Sequence, residues 1–537
     1  MKENKSKFVV RKKIVVPMAI LFGIILFLGI MFPAEFYTVE NAISGFGYSY
    51  FGWLYILVTV SSIILIGWLF FSKHGNIIIG GPNMKPLYKS KWSWFAVILC
   101  GDIGTGMVIW GVAEPVTFFN EVVPGVGEIA AKSQEAAVQG LGTSLLHWGI
   151  PAYAIYTGIT VIIAYAAYNM RLPFRVSSAL YPVFGKRIRG GLGDVVDLLC
   201  FFSIFCSVAA ILAVAATTIA AGVSIFADIP TNTMLQGIVL LIVVITFIIS
   251  SYTGLLKGMK FLSSLNAKLF VFLMAYVLIF GGTKFIFSLS TEAIGASVDM
   301  FATRMTYLGT ISEDLWPMWW TVIYWIWMIV YGPMMGMFLA KVSRGRTLRE
   351  LIGFNMLPAF FGMAWFCIFG SAAIKIDLET GDIYSAIQNK GLEASIFEFF
   401  NHFPLSMVLG IGFIIILFLS VVTMCDGLTA SVSSLSVANE SVGVSEPPAR
   451  FKILWGVIMS SLAFVSIFAN SSSADGINML QAAKMLPMIG ALPMLLIYVF
   501  GYISLVKAFT NRKKYDVVYF PETATIEKEL IQDIEEE

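Results

Sequence analysis

Between Trp316 and Tyr331 the chain reads WPMWWTVIYWIWMIVY, five tryptophans and two tyrosines in an apolar segment long enough to cross a bilayer. Tyr324, Trp327, Met328 and Tyr331 recur at i, i+3, i+4 and i+7, the spacing of one helical face. They make a stripe that descends into the hydrocarbon layer, whereas membrane aromatics usually gather at the headgroup levels. Stacked π-faces at that depth suit a buried cation with no hydrogen-bond donors, a quaternary ammonium above all. An aromatic helix–helix contact would use the same residues, and this segment alone does not separate the two readings.

A second group is Gly101-Asp102-Ile103-Gly104-Thr105-Gly106-Met107, followed by Trp110-Gly111-Val112-Ala113-Glu114-Pro115. Three glycines in six residues weaken a helix by about 1 kcal/mol each against alanine. Freed backbone groups are tolerated in a bilayer only beside protein or a water-lined cavity, and such broken helices mark the midplane sites of secondary transporters. Close packing through small residues is the alternative. Asp102 favours a functional break, because a carboxylate at mid-bilayer costs about 3 kcal/mol and is seldom present without a role. A third group runs from His147 to Tyr156, in which Trp148, Ala152 or Tyr153, and Tyr156 share one face.

The elements that carry these residues must be membrane spans. The 537 residues are 58% hydrophobic and 13% charged, with a mean hydropathy of +0.83, which excludes an ordinary soluble domain. Windows of near twenty apolar residues fall at about 14–32, 51–71, 93–113, 146–167, 198–221, 233–251, 260–283, 316–340, 354–374, 405–424, 452–470 and 487–507, which makes twelve. The sequence therefore divides into a basic tail (1–13), a twelve-span domain (14–507) and an acidic tail (508–537). An amphipathic stretch at 290–310 is too polar to cross and reads as a helix on the outer surface.

Charge sets the orientation. The N-terminal tail carries six Lys and Arg, the even-numbered connections seventeen, and the odd-numbered connections only six. This places both termini in the cytoplasm of a multi-pass protein of the cell membrane. Lys268 is the one basic residue inside a span.

Other classes lack their chemistry. The net charge of +2 gives no sign of nucleic acid. The five cysteines all fall in spans and form no zinc spacing. No histidine pair stands at ligand spacing, and no P-loop, GxSxG or HExxH pattern occurs. No enzyme, metal or cofactor is expected.

The glycine stretch ending GVAEP, the HWG-led span, the WTVIYWIW run and the SRGRTLRE loop at Ser343–Glu350 together resemble the betaine/choline/carnitine transporters, over nearly the whole chain. That resemblance implies an all-α polytopic fold with a LeuT-like core of two inverted five-helix repeats, spans 3–7 and 8–12, behind two preceding helices. It also implies a homotrimer that moves quaternary (trimethyl)ammonium compounds such as carnitine, betaine or choline. The substrate residues it implies are Trp148, Tyr153 and Tyr156 with Trp325, Trp327, Met328 and Tyr331, beside the broken backbone at Gly104 and Gly106.

The chain departs from the family in two places. The family signature ends Trp-x-Trp-Trp, whereas this chain has Met328 in the last position, and family members often carry tryptophan where Tyr153 and Tyr331 stand. The oxygen ligands of the sodium-coupled members are also depleted. Ile204 and Val208 replace threonines, and Thr423-Met424-Cys425-Asp426 replaces Thr-Ser-Ala-Asp. Sodium wants oxygen ligands. The sodium-independent exchangers hold a fixed cation in span 7, where Lys268 lies, so Asp102, Lys268, Thr423 and Met424 are the candidate coupling residues. The expectation is sodium-independent substrate exchange, with a proton- or sodium-coupled symporter as the alternative. A channel, or a sensor that binds without transporting, is the rival of another class.

Overall fold

In a computed structural model, the described residues are 9–103, 106–125, 129–253, 255–312, 314–438, 448–472, 485–524 and 526. Among the described residues eleven helices are long and apolar enough to cross a membrane, and a bent pair, taken as one span, makes a twelfth. Spans 1 and 2 are Lys12–Met31 and Pro33–Phe71. Span 3 is two helices, Lys91–Ile103 and Gly106–Asn120, bent by 60°. Span 4 is also in two parts, Gln134–His147 and Ile150–Ala164. Spans 5, 6 and 7 are Gly191–Ala227, Thr233–Thr253 and Leu255–Phe280. Span 8 comprises Trp316–Trp319 and Thr321–Val342. Spans 9 to 12 are Leu348–Thr380, Ser406–Leu435, Ala449–Ser472 and Met485–Thr510.

The predicted windows find every span but shorten several. Hydropathy marks the apolar centre, whereas helices continue into polar flanks: span 2 begins at Pro33 rather than near residue 51 because proline suits the first helical turn. The expected surface helix at 290–310 is displaced. It runs Thr283–Asp299, beginning directly after Gly282, whose φ of +93° ends span 7. Its apolar face buries Ile286, Leu289 and Ala293, and it packs against the first half of span 4 and against span 9. Protein, not lipid alone, receives that face.

The described N- and C-terminal segments and the connections after spans 2, 4, 8 and 10 meet at one end of the bundle. Strand Val9–Val10 pairs antiparallel with Val437–Ala438 after span 10. Arg11 bridges Asp194 at 2.9 Å and the fully buried Asp197 at 2.8 Å, at the start of span 5. Asn169 after span 4 receives the backbone N–H of Gly80 on its side chain, and its carbonyl accepts from Val517. In the connection after span 8, Arg346 donates to the Tyr88 carbonyl and lies 4.8 Å over the Trp94 ring. Span 9 then opens with a capping box between Thr347 and Glu350. At the opposite end Asn120 donates to Asp377, Tyr384 to Glu121, and Arg304 to the Pro124 carbonyl.

Candidate binding site at two interrupted spans

Spans 3 and 8 are both interrupted, and they stand five spans apart, each at the head of a set of five. Span 3 breaks between Ile103 and Gly106. Span 8 breaks at Trp320, whose φ of −124° and ψ of −86° leave the helical region. Interruptions in corresponding halves point to a transport site. The second half of span 8 packs along span 4, and span 4 packs on the second half of span 3.

Small residues let these helices approach. A Cβ on Gly111 would meet Trp365 Nε1 at 2.5 Å, and one on Gly362 would meet the Trp148 carbonyl at 3.0 Å. Tryptophan side chains fill the space that remains. Trp148 stands edge-on to Tyr324 at 5.1 Å between ring centroids, and Tyr324 edge-on to Trp327 at 5.6 Å. Trp110 lies 6.3 Å from Trp327 and 5.7 Å from Trp320. Phe366 of span 9 stacks on Trp148 at 5.8 Å.

A buried carboxylate ties the cluster together. Glu114, fully enclosed, receives Trp148 Nε1–H at 2.9 Å and the Tyr324 hydroxyl at 2.7 Å on Oε2. Its Oε1 lies 2.7 Å from His147 Nδ1, and His147 Nε2 lies 2.9 Å from the Thr321 hydroxyl. Both carboxylate oxygens thus find donors, as burial of a carboxylate requires.

The expected residues separate into groups. Trp148 and Trp327 belong to the ring cluster, and Gly106 touches it. Trp327 and Met328 are both buried, with 9% and 6% of their surface left exposed. Trp325 is completely enclosed and stands edge-on to His147 at 6.2 Å, behind the cluster rather than in it. Tyr153 and Tyr156 form their own edge-on pair at 6.2 Å further along span 4. Tyr331 donates to the Ser207 carbonyl at 3.0 Å, tying span 8 to span 5. Gly104 and the side chain of Asp102 lie outside the described residues.

Of the expected coupling residues that are described, Thr423 and Met424 come together and Lys268 does not join them. Thr423 and Met424 line a small cavity with Gly101, Ser263, Met335 and Phe338, with about 10 Å³ of room, near the space of one water. Ile204 and Val208 are buried apolar side chains. Lys268, however, is exposed on span 7, whereas Ser263, Asn266 and Ala267 are buried. Asn266 donates to the Ser420 hydroxyl at 2.7 Å from that buried face. Lys268, two residues on, is turned to the other side of the helix, and a long basic side chain on an outward face can reach the headgroups. The expected internal cation at Lys268 is therefore corrected to an outward-facing lysine.

Sequence reasoning left Glu114, His147 and Trp110 without a site role, and gave Tyr324 only its place in the aromatic stripe. The signal was present for Glu114, since the cost argument applied to Asp102 holds equally for a carboxylate in GVAEP. Nothing in the linear order joins residue 114 to residues 147, 148 and 324.

A bundle of long apolar helices, two of its spans interrupted beside a cluster of rings, has the architecture of a polytopic membrane protein. The betaine/carnitine/choline family transporter model matches residues 13–514, and the chain belongs to that family. It is 31% identical over 490 residues to the glycine betaine transporter OpuD of Bacillus subtilis, covering 90% of this chain and 92% of that one. It is 30% identical over 467 residues to the osmo-independent choline transporter BetT1 of Acinetobacter baylyi, covering 86% and 87%. A similarity to the ectoine/hydroxyectoine transporter of Virgibacillus pantothenticus reaches 29% over 493 residues, covering 91% and 95%.

Proposed function

We propose that the protein carries compounds bearing a trimethylammonium group, such as carnitine, betaine or choline, by alternating access to the junction of spans 3, 4 and 8. The observation that carries this reading is the ring cluster Trp148–Tyr324–Trp327–Trp110 beside two helix breaks. Methylated nitrogen offers no hydrogen bond, so ring faces and nearby negative charge are its natural partners. The relatives' transport of glycine betaine and of choline lends support.

For coupling, the proposal is exchange of one substrate for another without sodium. It rests on lost oxygens: Ile204, Val208 and Met424 present carbon and a thioether where a hard cation needs oxygen. Lys268, exposed on span 7, has no part in it. The protein acts in the cell membrane with both termini cytoplasmic, which follows from the Lys/Arg bias of the end where the termini meet, and as a homotrimer, which the family supplies. Titration of intrinsic tryptophan fluorescence with trimethylammonium compounds, with and without sodium, tests the substrate reading. Quenching by at least one compound, unchanged by sodium, is expected. Absence of any response would refute it.

A further inference from the structure

Glu114 has work to do beyond holding the helices. Among the partners it could have had, it takes two of the rings that face one another in the cluster, Trp148 and Tyr324, on a single oxygen. Its other oxygen takes His147. With the proton on Nδ1, His147 donates to Glu114 while Thr321 donates to Nε2, and all four groups are satisfied with Glu114 as acceptor only, the role of an ionised carboxylate. Such charge-assisted bonds are short and strong, and in a dry interior their field reaches further than in water.

The geometry points to Glu114 as a positioning residue that gives the cage its preference for positive charge over mere shape. It acts through Trp148 and Tyr324 in two ways. It holds both rings at fixed angles: the Trp148 indole is confined by Phe366 on one side and by Gly106 at its edge. It also draws the N–H and O–H protons toward its oxygen, which enriches the π-faces in electron density, and adds a negative charge behind them. A neutral ligand of the same shape would feel the first effect and not the second. This inference rests on the trimethylammonium reading above.

The test compares choline, glycine betaine and carnitine with their tert-butyl isosteres, in which carbon replaces the quaternary nitrogen. Binding is measured by calorimetry on the full-length protein in lipid nanodiscs. Glu114→Gln keeps the shape and an acceptor oxygen. Binding of each trimethylammonium compound should weaken roughly tenfold while its isostere, whose head group is uncharged, changes less than twofold, and Glu114→Asp should recover part of the preference. Tyr324→Phe keeps the ring and removes one donor, and serves if Glu114→Gln does not fold; a smaller, roughly threefold loss confined to the cation is expected. Equal losses for cation and isostere, or no loss in either variant, would overturn the inference, because a purely structural carboxylate affects both ligands alike. Wild-type protein that binds none of the three trimethylammonium compounds overturns the substrate reading and this inference with it, whereas binding with no isostere discrimination by Glu114 overturns this inference alone.

Discussion

A methyl group built on Gly106 would stand 3.0 Å from Cη2 of Trp148, so the helix break and the ring cluster are one construction. The glycine that reopens span 3 is also the residue whose missing side chain leaves room for the indole. Gly106→Val should push Trp148 aside and weaken substrate binding by about tenfold, near 1.4 kcal/mol. Gly106→Ala should cost less. Fluorescence titration reads both, and unchanged affinity in Gly106→Val would separate Trp148 from the site.

Trp327→Leu and Trp148→Leu each remove an indole that gives the strongest cation–π attraction, on the order of 2 kcal/mol when desolvated. Each should lower affinity roughly tenfold or more. Trp325→Leu, by contrast, should act mainly on thermal stability, since that ring is enclosed behind His147. Equal binding losses for Trp325→Leu and Trp327→Leu would contradict the separation.

Gly332 packs directly against the Tyr498 hydroxyl of span 12. Gly332→Ala should destabilise the protein by about 1–3 kcal/mol, as overpacking does, seen as a fall in melting temperature. Tyr498→Phe in the same chain should restore much of it. Failure of the double variant to recover would mean that helix propensity, not contact, is at issue.

Arg11 is the ion-pair partner of Asp197, whose side chain is wholly buried. Arg11→Ala removes its bridging counter-ion while Arg175 stays nearby as positive charge, and should cost about 3 kcal/mol. Pairing it with Asp197→Asn should return part of the loss. A thermal melt of Arg11→Ala indistinguishable from wild type would show that Asp197 is not held by the N-terminal segment.

Proteoliposomes examine coupling. Uptake should proceed without sodium, ignore a pH gradient and require countersubstrate inside. Sodium-driven uptake into empty vesicles would end the exchange reading. Uptake driven by an inward proton gradient would instead point to a titrating carboxylate such as Asp102.

Twelve spans, their even and odd connections and the aromatic content of spans 4 and 8 were legible in the sequence. Each depends on local properties: length of apolar run, charge count and helical period. The glycine break in span 3 was legible for the same reason, because three glycines act on their own backbone. The break at Trp320 was not, since tryptophan has no such local signature and its backbone angles answer to neighbours. Which rings meet was likewise a tertiary matter. Helical period put Tyr324 and Trp327 on one stripe, but only packing of spans 3, 4 and 8 set Trp110 beside them and turned Trp325 away. The carboxylate of Glu114 joins residues separated by up to 210 positions. A sequence shows that a buried carboxylate needs partners; the fold alone selects them, because the helices must pack before the donors can converge.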